Sequence, residues 1–384
     1  MIKRDIQKEL HALLKEYPVV AILGPRQAGK TTLAKTLAAY QYCNLEDPEN
    51  RLLASDDPKA FFSQFKKSVI LDEIQRVPLL LSYIQTIVDQ KNKNGQFVLT
   101  GSHQLDLTEA MVQSLAGRVG ILNLLPFSIN ELRKVGIEYK NFQDYVHKGF
   151  LPRIYDQKQR PLQAYSNYYR TYVERDVRQI INLKEQSIFE SFMKLLAGRV
   201  GQVISYSSLA KDVGVDAKTV RNWLSLLEAS FLVYKLSPYF ENFGKRYIKS
   251  PKYYFTEVGL LSFLLGIQAT HQLTRDPLVG HIFENLVVME CVKTQINQGH
   301  QPNMYFFKDS NGNEIDLILK KGRKLKCFEI KASSTYHSSF SKNLNKIKQI
   351  NTNIKKVGLI YNGQSRKLSN NIELIHFKKA ANQI

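Results

Sequence analysis

The chain has 384 residues, 43% of them hydrophobic, with 20 Phe, 20 Tyr and only 12 Pro, too long for one ordinary domain of about 100–200 residues and too apolar for disorder. Its net charge of +20 is gathered at one end, +3 over residues 1–150 against +17 over 151–384, and such a field points to a polyanion such as DNA. Three widely spaced cysteines, Cys43, Cys291 and Cys327, exclude a disulfide framework and a cysteine-rich zinc site. With no apolar leader and no run of about 18 apolar residues, the expected setting is cytoplasmic, with no membrane contact.

Residues 2–16 carry Ile2, Ile6, Leu10 and Leu13 at helical spacing, and Pro18 ends the expected helix. Val19–Leu23 is wholly apolar, as expected of a strand buried on both faces of a parallel sheet. Similar runs follow at Val69–Leu71 and Phe97–Leu99, with weaker ones near Tyr42–Leu45 and Ile121–Leu125. With helical stretches between them, and with the G-x-x-x-x-G-K-T run that directly follows Leu23, they predict an α/β fold whose first part, residues 1–150, is a P-loop NTPase parallel sheet. Ser128 and Glu131 have capping-box spacing. Residues 151–250 read as a basic helical region and 251–384 as a mixed α/β domain. No flexible linker separates the three, so they are expected to pack together.

Gly24-Pro25-Arg26-Gln27-Ala28-Gly29-Lys30-Thr31, followed by Thr32, fits G-x-x-x-x-G-K-[ST] without mismatch. An apolar strand precedes it, and a helix is predicted over Thr31–Ala39. Glycines at both ends let the backbone curl so that its N–H groups and the helix start face a phosphate chain. Lys30 then reaches the β- and γ-phosphates of ATP, and the Thr31 hydroxyl ligates Mg²⁺. Such a loop needs carboxylates on a neighbouring strand, and Ser68–Glu73 supplies them. Asp72 is expected to hold Mg²⁺ through water and Glu73 to polarise the attacking water. Thr100 or Ser102, at the tip of the next strand, is placed to sense hydrolysis or to cap a turn.

Between Ile204 and Val233 the spacing is that of a helix-turn-helix, here a winged-helix-like module. Ala210 sits at a close helix approach, Gly214 in the turn, and Asp216 caps a second helix with Val220 and Trp223 on its inner face. Lys218, Thr219, Arg221 and Asn222 would face outward, types that contact phosphates and base edges; the alternative is an AAA lid or interdomain packing module that does not meet DNA.

Glu314–Leu319 and Lys326–Lys331 flank a two-residue turn, Gly322-Arg323, with Gly where a type II′ hairpin needs it. That register sets Asp316 opposite Glu329, Cβ atoms about 4.5–5.5 Å apart, with Lys331 on the same side. Ile315, Leu317, Phe328 and Ile330 then point into a core. Two carboxylates forced together call for a cation, and Mg²⁺ is the expected one. Lys331 is placed to orient or deprotonate a water.

Across GPRQAGKTTL, VILDEIQRVP, VLTGS, LAGRV, LLPFSINEL, YVERDV, KRYIKSPKYYFTEVGLL, GHIFENLVV, NEIDLIL and EIKAS the chain resembles bacterial and archaeal AAA-type ATP-binding proteins with a nuclease-like C-terminal domain. The resemblance implies nucleotide-binding roles for Lys30, Thr31, Asp72 and Glu73. It also implies that Arg118 in LAGRV senses the γ-phosphate, from its own chain or from a neighbour in a homo-oligomer. Glu257 stands where relatives usually have aspartate. Asp316, Glu329 and Lys331 resemble the restriction-endonuclease-like catalytic motif, in which Glu284 matches the further metal-binding acid those folds often add. DNA and ATP are the implied partners.

Overall fold

The computed structural model describes residues 2–91, 93–101, 113–177, 186–239, 249–310, 312–369 and 371–384. Five strands form a wholly parallel sheet: β1 (Val19–Leu23), β2 (Gln41–Asn44), β3 (Val69–Asp72), β4 (Phe97–Gly101) and β5 (Val119–Asn123), in the order β2-β3-β4-β1-β5. Alternate residues of β1 face opposite cores. Val20 and Ile22 pack with Leu10 and Leu33, while Val19, Ala21 and Leu23 pack with Phe61, Leu80 and Ile84. Helices thus cover both faces, which is why the strand is apolar throughout.

Two helices are shorter than their periodicity suggests. The first runs Gln7–Glu16, because Ile2 enters the core around Phe127 and Arg4 bonds across to Ala28 instead of coiling. The helix after the glycine-rich loop is only Lys30–Ala34. The N–H groups of Thr36 and Leu37 then bond back to Leu33 and Ala34, tightening the chain into a turn ahead of β2.

A second sheet holds β6 (Val233–Pro238), β7 (Lys252–Phe255), β8 (Met304–Lys308), β9 (Glu314–Lys321), β10 (Lys324–Lys331), β11 (Ile354–Tyr361), β12 (Arg366–Lys367) and β13 (Glu373–His376), in the order β12-β13-β11-β10-β9-β8-β6-β7. Strand β6 follows the helices Tyr206–Val213 and Ala217–Ala229, pairs antiparallel with β7, and joins β8 in parallel at Ser237 and Pro238. The sheet therefore runs across residue 250.

The β9–β10 hairpin has the expected register, from Lys324 opposite Lys321 to Phe328 opposite Leu317, with Gly322 at φ 58°. One side chain departs from it. Simple alternation puts Ile315 with Leu317, yet Ile315 packs with Ile318 and Cys327 under Leu344, whereas Leu317 and Phe328 face the opposite core. The pairing of β8 with β9 slips by one residue between Tyr305 and Phe307, and one extra residue in a strand reverses the faces beyond it.

The helix Val279–Asn297 packs on the sheet face opposite Leu344, and every residue from Ile282 to Lys293 is buried. Four polar residues lie in that stretch, and each is tied to a neighbouring element. Asn285 clips the backbone N–H (2.7 Å) and C=O (2.9 Å) of Phe255, and Glu284 takes up Lys252 and Tyr254. Glu290 accepts from the Ile129 N–H at 2.7 Å, and Lys293 donates to Phe127 O at 2.8 Å and lies 3.3 Å from Glu290. The helix is thereby bound to the chain just beyond β5. Glu290→Ala is expected to cost about 3–5 kcal/mol in urea unfolding, because it leaves Lys293 buried and unpaired. A Glu290→Met/Lys293→Met pair should recover most of that loss.

Candidate functional site

The glycine-rich loop turns on three residues with positive φ: Gly24 (153°), Gln27 (62°) and Gly29 (94°). At Gly24 no side chain fits, since a Cβ would lie 2.1 Å from the carbonyl oxygen of Leu124. Lys30 is buried, and its ammonium donates to the carbonyls of Gly24 and Pro25, 2.9 Å each. Burial lowers it to about 8, against the opposing pull of Glu73 and Asp72.

Strand β3 is not β1's neighbour, as the motif spacing suggests; β4 stands between them. The interposed strand brings Thr100 to the centre of the site. Its hydroxyl donates to Asp72 Oδ1 and accepts from the Glu73 N–H at 3.2 Å. The Thr31 hydroxyl lies 3.0 Å from both oxygens of Asp72, and the Tyr42 hydroxyl donates to Oδ2 at 2.7 Å. Glu73 has φ 58°, disfavoured for a residue with a Cβ, and its carboxylate accepts from Gln75. Thr31, Asp72, Glu73 and Thr100 thus converge at the carboxyl ends of the strands, a donor set of hydroxyls and carboxylates that fits Mg²⁺. Ser102 lies outside the described residues.

Arg4 was invisible in the sequence. Buried, it donates to Ala28 O in the loop (2.8 Å), Leu125 O beyond β5 (2.6 Å) and Glu131 of the capping box (2.8 Å). Two adjoining cavities, about 480 and 540 Å³, share Gly29, Thr32, Pro152 and Asp156 as walls. The first is lined by Ile2, Leu33 and Phe127, and the second by Arg26, Lys30, Thr31, Glu73 and Arg153. Arg153 also went unnoticed in the sequence. Its position after Pro152 carries no motif.

Arg118 is elsewhere. Its carbonyl accepts from Val19 N, at the start of β1, and its guanidinium grips Asp89 at 2.6 and 3.0 Å. At about 3.3 Å per residue, five-residue β1 puts it roughly 16 Å from the phosphate loop. Sensing a phosphate on its own chain is therefore excluded.

The carboxyl-terminal cluster forms around lysines. The Lys331 ammonium lies 3.1 Å from Asp316 and 2.8 Å from Glu329, and Asp316 also accepts from Ile330 N. Burial and then the charge of Asp316 push Glu329 up to about 8. Burial acts to raise Asp316 too, but Lys331 and Lys252 outweigh it and hold the carboxyl below its ordinary range. Glu284 bonds Lys252 (2.9 Å) and Tyr254 (2.6 Å), and Lys252 also reaches Glu314 at 2.8 Å. Among the described residues no group of three or more His, Cys, Asp or Glu side chains is placed to hold a metal ion. At the expected Mg²⁺ set of Glu284, Asp316 and Glu329, the ammonium groups of Lys252 and Lys331 lie beside the carboxylates. Glu257 has no part in either site. It accepts from Phe150 N, Tyr165 Oη and Gly259 N as a buried joint.

Residues 16–133 match the AAA domain family, and residues 139–271 and 279–379 match two domain families of unknown function. Uncharacterised proteins of Mycobacterium tuberculosis and Mycobacterium bovis are each 29% identical over 368 residues, covering 95% of this chain and 81% of theirs. The Walker-type ATPase of Pyrococcus abyssi aligns with a TM-score of 0.46 and 14% identity, covering 69% of this chain and 96% of its own. No helix among the described residues is long and apolar enough to cross a membrane.

The low value at Lys30 sets a pH dependence. An unfolded lysine keeps its charge up to about 10.5, whereas the folded Lys30 loses it above about 8. A phosphate chain is bound by the ammonium form, so nucleotide affinity should be flat below about pH 8 and fall as the pH rises through it. Calorimetry in buffers of different ionisation heat should then show proton uptake on binding above about pH 8; constant affinity up to about pH 9.5 would refute the assignment.

Proposed function

We propose that the chain is an ATP-hydrolysing AAA-type protein that acts on DNA through its basic carboxyl-terminal half. The convergence of Lys30, Thr31, Asp72, Thr100 and Glu73 at one end of the parallel sheet carries the hydrolytic reading. In this reading the cavity beside Ile2, Leu33 and Phe127 takes the base, and the polar cavity takes the phosphates. Lys30 exchanges the carbonyls of Gly24 and Pro25 for phosphate oxygens. Thr31 and Asp72 hold Mg²⁺, whose charge neutralises the β- and γ-phosphates. Glu73, steadied by Gln75 and by its N–H on Thr100, polarises the attacking water. With Arg118 at the far edge of its own sheet, it serves phosphate only on a neighbouring copy in a homo-oligomer.

The DNA reading rests on the +17 charge of residues 151–384. The exposed Lys218, Arg221 and Asn222 on the helix Ala217–Ala229 support it, as does the β6–β7 ribbon that follows, an arrangement consistent with a winged helix. Thr219 is turned to Asp216 instead of outward. The Asp316–Glu329–Lys331 register suits a restriction-endonuclease-like fold, while the lysine bridging both carboxylates favours a binding scaffold over cleavage. That same bridge supports a second reading, a nucleotide-gated module that binds a protein partner.

Mg²⁺-dependent ATP turnover is expected to fall about 100-fold or more in Glu73→Gln, with nucleotide still bound. Lys30→Ala should lose nucleotide binding itself. Normal turnover in both variants sinks the hydrolytic reading. Turnover measured with and without duplex and single-stranded DNA separates the two partner classes: stimulation that fades with salt supports DNA, and none, with ATP-dependent protein association, supports the second reading.

A further inference from the structure

Beside the phosphate cavity lies another, of about 570 Å³, that shares Gln27, Arg153 and Thr171 with it but contains neither Lys30 nor Thr31. Three cations line it, Arg153, Lys158 and Arg160, together with the amides of Gln159, Gln163 and Asn167. Among the described residues no carboxylate lines it. All three cations are exposed, and none of them makes an ion pair among the described residues, whereas the ammonium groups of Lys252 and Lys331 are matched by carboxylates. The backbone at Lys158 is at φ 51°, a conformation a lysine seldom adopts.

Among the described residues these three positive charges have no paired carboxylate, so the concave space carries a positive potential that attracts an anion of several charges. The nucleotide is not that anion, because Lys30 and the loop N–H groups already serve its phosphates. A cavity of this size takes a short stretch of single strand but not the girth of a duplex, and the amides offer donors and acceptors to base edges. We infer that this cavity holds the phosphodiester backbone of single-stranded nucleic acid against the mouth of the nucleotide site. The inference rests on the DNA reading above and adds the strand form and the place. Gln27 and Arg153 wall both cavities, so strand and nucleotide meet at shared side chains, and any effect of one on the other's affinity is reciprocal. Among the described residues no aromatic ring lines the cavity, so charge carries the affinity without base stacking, and sequence preference is slight.

The test is fluorescence anisotropy of a labelled oligothymidine strand on the full-length protein across a salt series, with ATP turnover measured alongside. Lys158→Ala/Arg160→Ala, outside the cavity that holds Lys30 and Thr31, should keep basal turnover, weaken strand binding at least tenfold, and lower the log–log salt slope by about 1.4. Lys158→Arg/Arg160→Lys should restore binding, since charge is what matters. Lys218→Ala/Arg221→Ala should leave the oligothymidine affinity unchanged. Unchanged strand affinity in the 158/160 double variant, with a wild type that binds, overturns this site alone. A wild type that binds neither single strand nor duplex at low salt overturns the DNA reading together with it.

Discussion

The guanidinium of Arg4 is the contact on which the nucleotide site depends. A glycine-rich loop has little packing of its own, and its shape must be imposed from outside. Arg4 does this by donating at once to Ala28 O within the loop, to Leu125 O beyond β5, and to Glu131. The loop and the chain leaving the edge strand are thus fixed to a single planar group. Glu131 shares its oxygens with the Asp5 and Ser128 N–H groups, so both carboxylate oxygens are used and each guanidinium nitrogen makes a bond. Burying the two ions is costly, and their mutual attraction repays it only with such added hydrogen bonds. What the arrangement secures is position. One residue on, Ile129 N donates to Glu290, and the support passes into the helix Val279–Asn297.

What could be read in advance divides along a physical line. The phosphate loop, Asp72 and Glu73 were legible because their chemistry depends on contiguous residues and on an apolar strand before each. The hairpin register as far as Phe328 opposite Leu317 was legible because a two-residue turn sets its own pairing. Ile315 was not, because its face is decided by a slip in a different strand pair, β8 with β9. Arg4 and Lys252 stayed hidden for a related reason. Their partners Glu131 and Glu284 are 127 and 32 residues away, and a cation does not announce an acid so distant in the chain. The position of Arg118 depends on which end of β5 it occupies, which its motif does not state.

The carboxyl-terminal cluster shows how one set of carboxylates can serve different ends. Asp316 and Glu329 are close enough to need a cation, and the fold provides it internally through Lys331, with Lys252 doing the same for Glu284 and Glu314. An ammonium on a side chain neutralises charge without a vacant coordination position, so it gives cohesion where a bound ion would also give a Lewis acid. The sheet between the two cores is held by these buried pairs as well as by its apolar layers.

The support of the phosphate loop by the helix Val279–Asn297 also has a schedule. A ribosome delivers Phe127 and Ile129 well before Lys293 and Glu290, their partners 166 and 161 residues on. At about 5–20 residues per second that gap lasts about 8–30 s. During it the loop, its lysine and both strand-end acids already exist, while the segment behind them has no carboxylate for the Ile129 N–H and no ammonium for the Phe127 carbonyl. A growing chain therefore carries the complete motif well before it carries the complete site, which is finished only when the basic lobe has been made.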